Sequence, residues 1–187
     1  MKEIWNKYEE WLSANFETGL RDLNPAITDE ELEELQSTLN VQLPDDFIGF
    51  LKVHNGQSGN TGGIIDATEL LSSKRILDEW GCWKGLLDGG EFEDYEEERN
   101  NGVKADWWNA KWIPFTYNGA GDHLCLDLDP SDRGNKGQVI TMWHDDGERE
   151  IKGTNFKAWF ASYVDDVIDG KYVYHEDYDG VVSLEGI

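Results

Sequence analysis

Two aspartates, Asp127 and Asp129, are spaced as a pair of working carboxylates would be. They close an alternating stretch, 123–128, in which Leu124, Leu126 and Leu128 share one face of a strand. Residues two apart on a strand point to the same side, so both carboxylates would lie on the opposite face with Cys125. Such a pair flanking a sugar could run glycoside hydrolysis. The more ordinary reading is a polar, solvent-side strand face, or carboxylates bonding turn amides beside Pro130. Asp127, Asp129 and Asp132 also invite a calcium reading, and the spacing defeats it. An EF-hand loop starting at Asp127 needs Asp or Asn at its fifth place, Gly at its sixth and Glu at its twelfth. The chain has Ser131, Asp132 and Gln138 there.

The other reactive residue types are scattered. His54, His123, His144 and His175 form no HExxH or HxH pair. His144 and Asp145 are adjacent, so on a strand they would point apart. Ser72, Ser73 and Ser162 lack a G-x-S-x-G elbow. Cys82 and Cys125 belong to no CxxC or Cys/His cluster, so neither a disulfide framework nor structural zinc is implied. Cys125, inside a strand pattern, reads as an inert filler. The Gly-rich stretch 57–63 is not followed by Gly-Lys-Ser/Thr, so it is no phosphate loop. The sequence therefore predicts no catalytic, cofactor-binding or metal-binding residue and no cofactor.

The elements that would carry these residues are legible in part. Ile4, Tyr8, Trp11 and Leu12 fall on one helical face. Thr28 and Glu31 have capping-box spacing, Ile27 and Leu32 staple spacing, and Leu32, Leu35 and Leu39 the buried stripe, with Asn40 at the stop. Pro44 suits the first turn of a helix presenting Phe47, Phe50, Leu51 and His54, ended by Asn55-Gly56. Ile64-Ile65 reads as a short strand, and Thr68 as the cap of a helix running through Leu70, Leu71, Ile76, Leu77 and Trp80 toward Leu87. The second half reads as strands: 112–117 with Ile113, Phe115 and Tyr117 on one face, 123–128, 137–143, and 148–152. The turn 118–122 between the first two has hairpin chemistry, and the whole forms an antiparallel meander. Thr154 or Asn155 starts a last helix with Phe156, Trp159, Phe160, Tyr163 and Val167 on one face and Gly170 at its end. Asp165, Asp166 and Asp169 crowd the C-terminus of that helix, where the dipole disfavours anions; they are incidental or serve a binding surface. An acidic tail follows, with a strand at 172–174.

Composition limits the partners. Sixteen Lys and Arg against thirty-nine Asp and Glu give a net charge of −23. Nucleic-acid backbones and anionic membranes would be repelled, whereas a basic protein would be steered in. Nine Trp, seven Tyr and seven Phe can fill a real core. The N-terminal stretch lacks a signal-peptide apolar run and no window approaches a membrane span, so the expected compartment is the cytoplasm. The most partner-like feature is the acidic run 88–98, in which Phe92 and Tyr95 interrupt seven carboxylates; their spacing allows an exposed helix. The residues expected to meet a partner are Glu91, Glu93, Asp94, Tyr95, Glu96, Glu97 and Glu98, with Trp107 or Trp108 as an exposed anchor. These two are adjacent, so at most one packs well. Trp112, opposite Ile113, would pack under a neighbouring helix or loop.

An ordered set of motifs carries a resemblance. Leu43-Pro44-Asp45-Asp46-Phe47, Asn55-Gly56, Trp112-Ile113-Pro114, Gly121-Asp122, Leu126-Asp127-Leu128-Asp129-Pro130, Gly137-Gln138-Val139, His144-Asp145 and Phe156-Lys157-Ala158-Trp159 follow one another along the chain. Together they resemble the SUKH superfamily, which includes fungal regulators of cell-wall synthesis and bacterial immunity proteins against secreted toxins. The resemblance implies one α+β domain, an antiparallel sheet flanked by helices, over 1–187. Its core is about 28–170, with an insertion at about 88–107. It also implies a non-enzymatic, protein-binding role. The expectation drawn from it is an immunity protein that neutralises a basic, nuclease-like toxin domain. The alternatives are a regulatory scaffold for envelope synthesis and a hydrolase using Asp127 and Asp129.

Overall fold

The computed structural model describes residues 1–93, 95 and 102–186. Helices come first: α1 (Lys2–Asn15), α2 (Glu17–Arg21), α3 (Asp29–Leu39) and α4 (Asp45–Leu51). The two-residue strand β1 (Glu69–Leu70) leads into α5 (Ser73–Asp88). Strands β2 (Trp112–Pro114), β3 (Thr116–Tyr117), β4 (His123–Asp127), β5 (Gln138–Met142) and β6 (Ile151–Gly153) follow, then α6 (Phe156–Ile168) and a hairpin of β7 (Tyr172–His175) and β8 (Gly180–Ser183). The arrangement is α+β, as the sequence predicts.

Local chemistry sets several boundaries as expected. Thr28 accepts from the Glu31 amide at 3.1 Å and Glu31 accepts from the Thr28 amide at 2.8 Å, so the capping box is complete. Asn40 stops α3 in the left-handed conformation, φ 50°. Asn155, not Thr154, caps α6 by accepting from the Ala158 amide. Helix α4 ends at Lys52, before the predicted Asn55-Gly56 stop. Gly56 is required for another reason: at φ +67° a Cβ would lie 2.4 Å from the Leu71 and Ser72 backbone.

Other expectations are corrected. Ser72 caps α5, not Thr68. Thr68 instead closes a tight turn onto Ile65, through its hydroxyl and an isolated bridge. Leu70 lies in a strand and Leu71 follows it, because β1 pairs antiparallel with β3. The stretch 112–117 is therefore not one strand. It leaves the main sheet at Phe115, whose carbonyl accepts from the Leu71 amide at 2.9 Å. The acidic tail closes as the β7–β8 hairpin, with Val181 fully buried.

The main sheet is an antiparallel meander, β2-β4-β5-β6, and it is covered on both faces. Ile113, Leu126 and Val139 are in register on one face. There they join the larger core with Phe47, Phe50, Phe156, Phe160, Trp5 and Tyr8 from α4, α6 and α1. Trp112, Cys125 and Ile140 point the other way, into a second core with Met142, Trp83 of α5, and Val103 and Trp108. The predicted solvent-side face is thus buried, Asp127 included. Strand parity was readable; the cover arrives from α5 and from 102–110, distant in sequence. Trp83 holds this cover. It stacks over Trp108 at 6.3 Å and donates its indole N–H to His123 at 3.1 Å. Truncating it to Ala would cost about 3–5 kcal/mol.

Candidate functional site

A cleft of about 500 Å³ opens between α6 and the start of the β4–β5 pair. Each wall follows from local periodicity. On α6, Trp159, Ser162, Tyr163 and Asp166 recur at three- and four-residue steps and line one wall. Thr141 and Trp143, two apart at the end of β5, face the same side, while Met142 between them enters the second core. Thr116, Leu124 and Thr141 supply the floor. The Thr116 and Thr141 hydroxyls accept from the Leu124 and Glu150 amides at 2.8 and 2.9 Å. The turn 65–68 closes one end with Asp66, whose amide donates to the Tyr163 phenol at 3.2 Å and whose carboxylate accepts from Ser183 at 3.0 Å. Of the nine tryptophans, Trp143 stands out at 40 % exposed; the others are buried or half-buried.

The opposite lip is polar. Asp122 accepts from the His144 amide and ring at 2.9 and 2.8 Å, and from Asn118 at 2.6 Å. Partial burial would raise the Asp122 carboxyl, but these bonds to His144 and Asn118 outweigh it and hold the group below its usual range. The same bond raises His144. Gly121 makes this approach possible: at φ +106° a Cβ there would lie 3.1 Å from that of His144. Asp122, His144 and Asp145 bring ligand atoms within 4.8 Å of one another. Three donors are about half of a calcium shell, and His144 is already committed to Asp122. Behind the lip, His123 is 2 % exposed. Its Nδ1–H donates to the Thr116 carbonyl at 2.7 Å and its Nε2 accepts from Trp83. Burial pushes it down to about 4, so it is neutral and structural.

The sequence-predicted residues separate into groups. Asp127 and Asp129 do not form a working pair. Asp127 is fully buried and accepts from Gln138 at 2.8 Å and from the Asp129 amide at 3.0 Å. Burial raises its carboxyl. Asp129 is held by Lys104 at 2.6 Å and Asn109 at 3.1 Å. Turn-amide bonding is therefore correct for Asp127, and neither carboxylate lines the cleft. In the acidic run, Glu91 and Glu93 are exposed, whereas Asp94, Glu96, Glu97 and Glu98 lie outside the described residues. Residues 91–93 form turns rather than the predicted helix. Phe92 stacks on Trp83 and Trp107, and Tyr95 packs edge-on to Trp107 at 4.9 Å. These contacts tie Phe92 and Tyr95 to the second core. Trp108, 2 % exposed, cannot anchor a partner. Trp107 is half-buried beside Arg149, whose guanidinium also donates to its carbonyl at 2.7 Å.

The cleft residues Trp143, Asp122, Asp66 and Tyr172 carried no sequence signal of their own as a site. Asp166 did: it is one of the three acids set against the α6 dipole.

Comparison with known proteins gives a consistent picture. The family model described as SMI1 / KNR4 family (SUKH-1) matches residues 26–162. A glucan synthesis regulatory protein of Neurospora crassa is 23% identical, covering 92% of this chain and 39% of its own length. The cell wall biosynthesis/cell cycle regulator smi1 of Schizosaccharomyces pombe is 24% identical over 100% of this chain and 40% of its own. F-box only protein 3 of Bos taurus is 23% identical over 92% of this chain and 35% of its own. The chain thus spans about two fifths of the length of these relatives. Among the described residues no helix is long and apolar enough to cross a membrane.

Proposed function

Because the chain belongs to the SMI1/KNR4 (SUKH-1) family, we propose that it is a regulatory, non-catalytic domain that binds partner proteins in an assembly serving cell-wall synthesis. The observation that carries this is the match, along nearly the whole chain, to relatives named as regulators of glucan synthesis and of the cell wall. The chemistry of the residues agrees. The carboxylate pair of the hydrolase alternative, Asp127 and Asp129, is locked by Gln138, Lys104 and Asn109. The Cys125 thiol is buried and pushed far above its ordinary range by that burial, so it is a poor nucleophile. What remains is a cleft with aromatic and acidic walls on a strongly anionic domain, which suits recognition. Cross-linking in cells followed by mass spectrometry tests the reading. Capture of cell-wall synthases or their signalling proteins supports it; turnover of a sugar substrate, lost in Asp127→Asn, refutes it.

A second reading is favoured by the charge of −23: an immunity protein that covers a basic toxin domain. Co-expression with a candidate toxin separates the two. Rescue of growth with a stable 1:1 complex on sizing selects immunity, and continued killing rejects it.

A further inference from the structure

We propose that the cleft beside α6 receives an extended segment of a partner protein rich in lysine or arginine. Its cationic side chains would meet Asp66, Asp122 and Asp166, and its apolar stems would lie against Trp143, Trp159 and Tyr172. This rests on the protein-binding reading and names the part of the surface that does the binding.

Charge and apolar surface coincide here. Three carboxylates line the cleft against one ammonium, Lys152. That lysine is already paired with Glu150 at 2.7 Å, both side chains well exposed. Asp166, its side chain 32% exposed, is paired with Lys171, whose side chain is 64% exposed. Exposed pairs of this kind are worth about 0–1 kcal/mol, so an incoming cation can exchange with Lys171 at little cost. Asp122 is different. Its orientation is fixed by Asn118 and His144 before any ligand arrives, so less ordering entropy is lost on binding.

The aromatic component points the same way. Trp143 leaves much of its ring in solvent, at the rim of a cleft whose inner wall is Trp159 and Tyr163. Tryptophan is the strongest ring for holding a cation over its face, and lysine and arginine bring apolar stems with their charge. The volume lies within the roughly 300–1,000 Å³ of ordinary ligand sites. The acidic turn at Glu91 and Glu93 lacks this pairing of ring and charge, because Phe92 there is turned onto Trp83.

The test uses the full chain and three probes: a twelve-residue peptide alternating lysine with leucine and serine, the same peptide with glutamate for lysine, and spermidine. Binding is followed by 15N–1H spectra and fluorescence anisotropy. The lysine peptide is expected to bind, and to shift Thr68, Leu124, Ser162 and the Trp143 indole most. Affinity is expected to fall at least tenfold in both Trp143→Ala and Asp166→Lys, and less than twofold in Glu91→Lys/Glu93→Lys. Both cleft positions are solvent-facing, and circular dichroism checks that the variants fold. Absence of lysine-peptide binding overturns the proposal. So does binding of the glutamate peptide, equal spermidine binding at the cleft, or shifts spread evenly over the acidic surface with Glu91→Lys/Glu93→Lys as harmful as Asp166→Lys. If a cross-linked natural partner persists on the Trp143→Ala/Asp166→Lys double variant, the cleft assignment fails while the protein-binding reading stands.

Discussion

Acid should destabilise this domain through His123 before most of its carboxylates respond. His123 is 2 % exposed and fully committed as the neutral tautomer: Nδ1–H donates to Thr116 and Nε2 accepts from the Trp83 indole. A second ring proton would set two N–H groups against each other. Burial lowers the group from 6.5 in the free chain to about 4 in the fold. The unfolded chain therefore takes up the proton first, and stability falls as pH drops from about 6.5, levelling off below about 4. The gap corresponds to about 3 kcal/mol in full, of which about 2 kcal/mol is lost by pH 5. Asp122 and Asp129, held low by their hydrogen bonds against the raising effect of burial, lose their contribution only at lower pH. Asp127, raised by burial, acts in the opposite sense as it protonates. His144, raised by its bond to Asp122, contributes stability that disappears as pH rises. These cancel when wild type is compared with His123→Gln, whose amide can still donate and accept but does not titrate. Urea unfolding followed by tryptophan fluorescence at pH 7.5, 6 and 5 is the assay. The fall from pH 7.5 to 5 should be about 2 kcal/mol smaller in the variant. Parallel curves for the two proteins, or an NMR titration placing His123 near 6.5, would refute the reasoning.

Three further outcomes follow from buried or capped groups. The Asp22 carboxylate, 4 % exposed, gathers the Gly59 and Asn60 amides and the side chains of Gln57, Asn60 and Thr61. Asp22→Ala should cost about 2–4 kcal/mol, read by thermal unfolding, with amide exchange rising first in 57–62; a loss under about 0.5 kcal/mol counts against that hub. Thr28→Ala removes the cap of α3 and should cost about 1 kcal/mol in urea unfolding, whereas Thr28→Ser should be nearly silent. Exposed Cys82 should react with a maleimide in the native protein, while Cys125 should be modified only at the rate of unfolding; mass spectrometry after graded urea distinguishes the two sites.

The parts of the fold that were legible are those decided within a turn or two of chain. The Thr28–Glu31 box and the Phe156 to Val167 face rest on contacts three to eleven residues apart, so type and spacing carried them. Ser72 and Thr68 were not distinguishable on those terms, since both are hydroxyl residues before an apolar run. Thr68 is taken by the turn onto Ile65, and Glu69 and Leu70 by pairing with Tyr117 and Thr116. That pairing lies almost fifty residues away. Asp127 fails for a similar reason. Its parity on the strand was correct, but the cover of that face comes from Trp83, Val103 and Trp108. The candidate site was the least legible part, because its residues come from the 65–68 turn, β3, the 118–122 turn, β4, the end of β5, β6, α6 and β7 and share no local pattern.

The distribution of charge explains why composition alone does not choose between binding surfaces. Thirty-nine acids against sixteen basic residues leave anions throughout the sequence, so a long acidic run is a poor discriminator between faces. Beyond about 8 Å at physiological salt these charges are screened; they can steer a basic partner without deciding where it lands. The landing place needs short-range contacts that the rest of the surface lacks. Phe92 and Tyr95, the large apolar residues of the run 88–98, are already in contact with Trp83 and Trp107, and Trp108 is buried against Trp80 and Trp83. At the α6 cleft, by contrast, Trp143 remains open beside a carboxylate fixed in direction by two neighbours. The proposed docking at the end of β5 would use aromatic surface left over there after the two cores are filled.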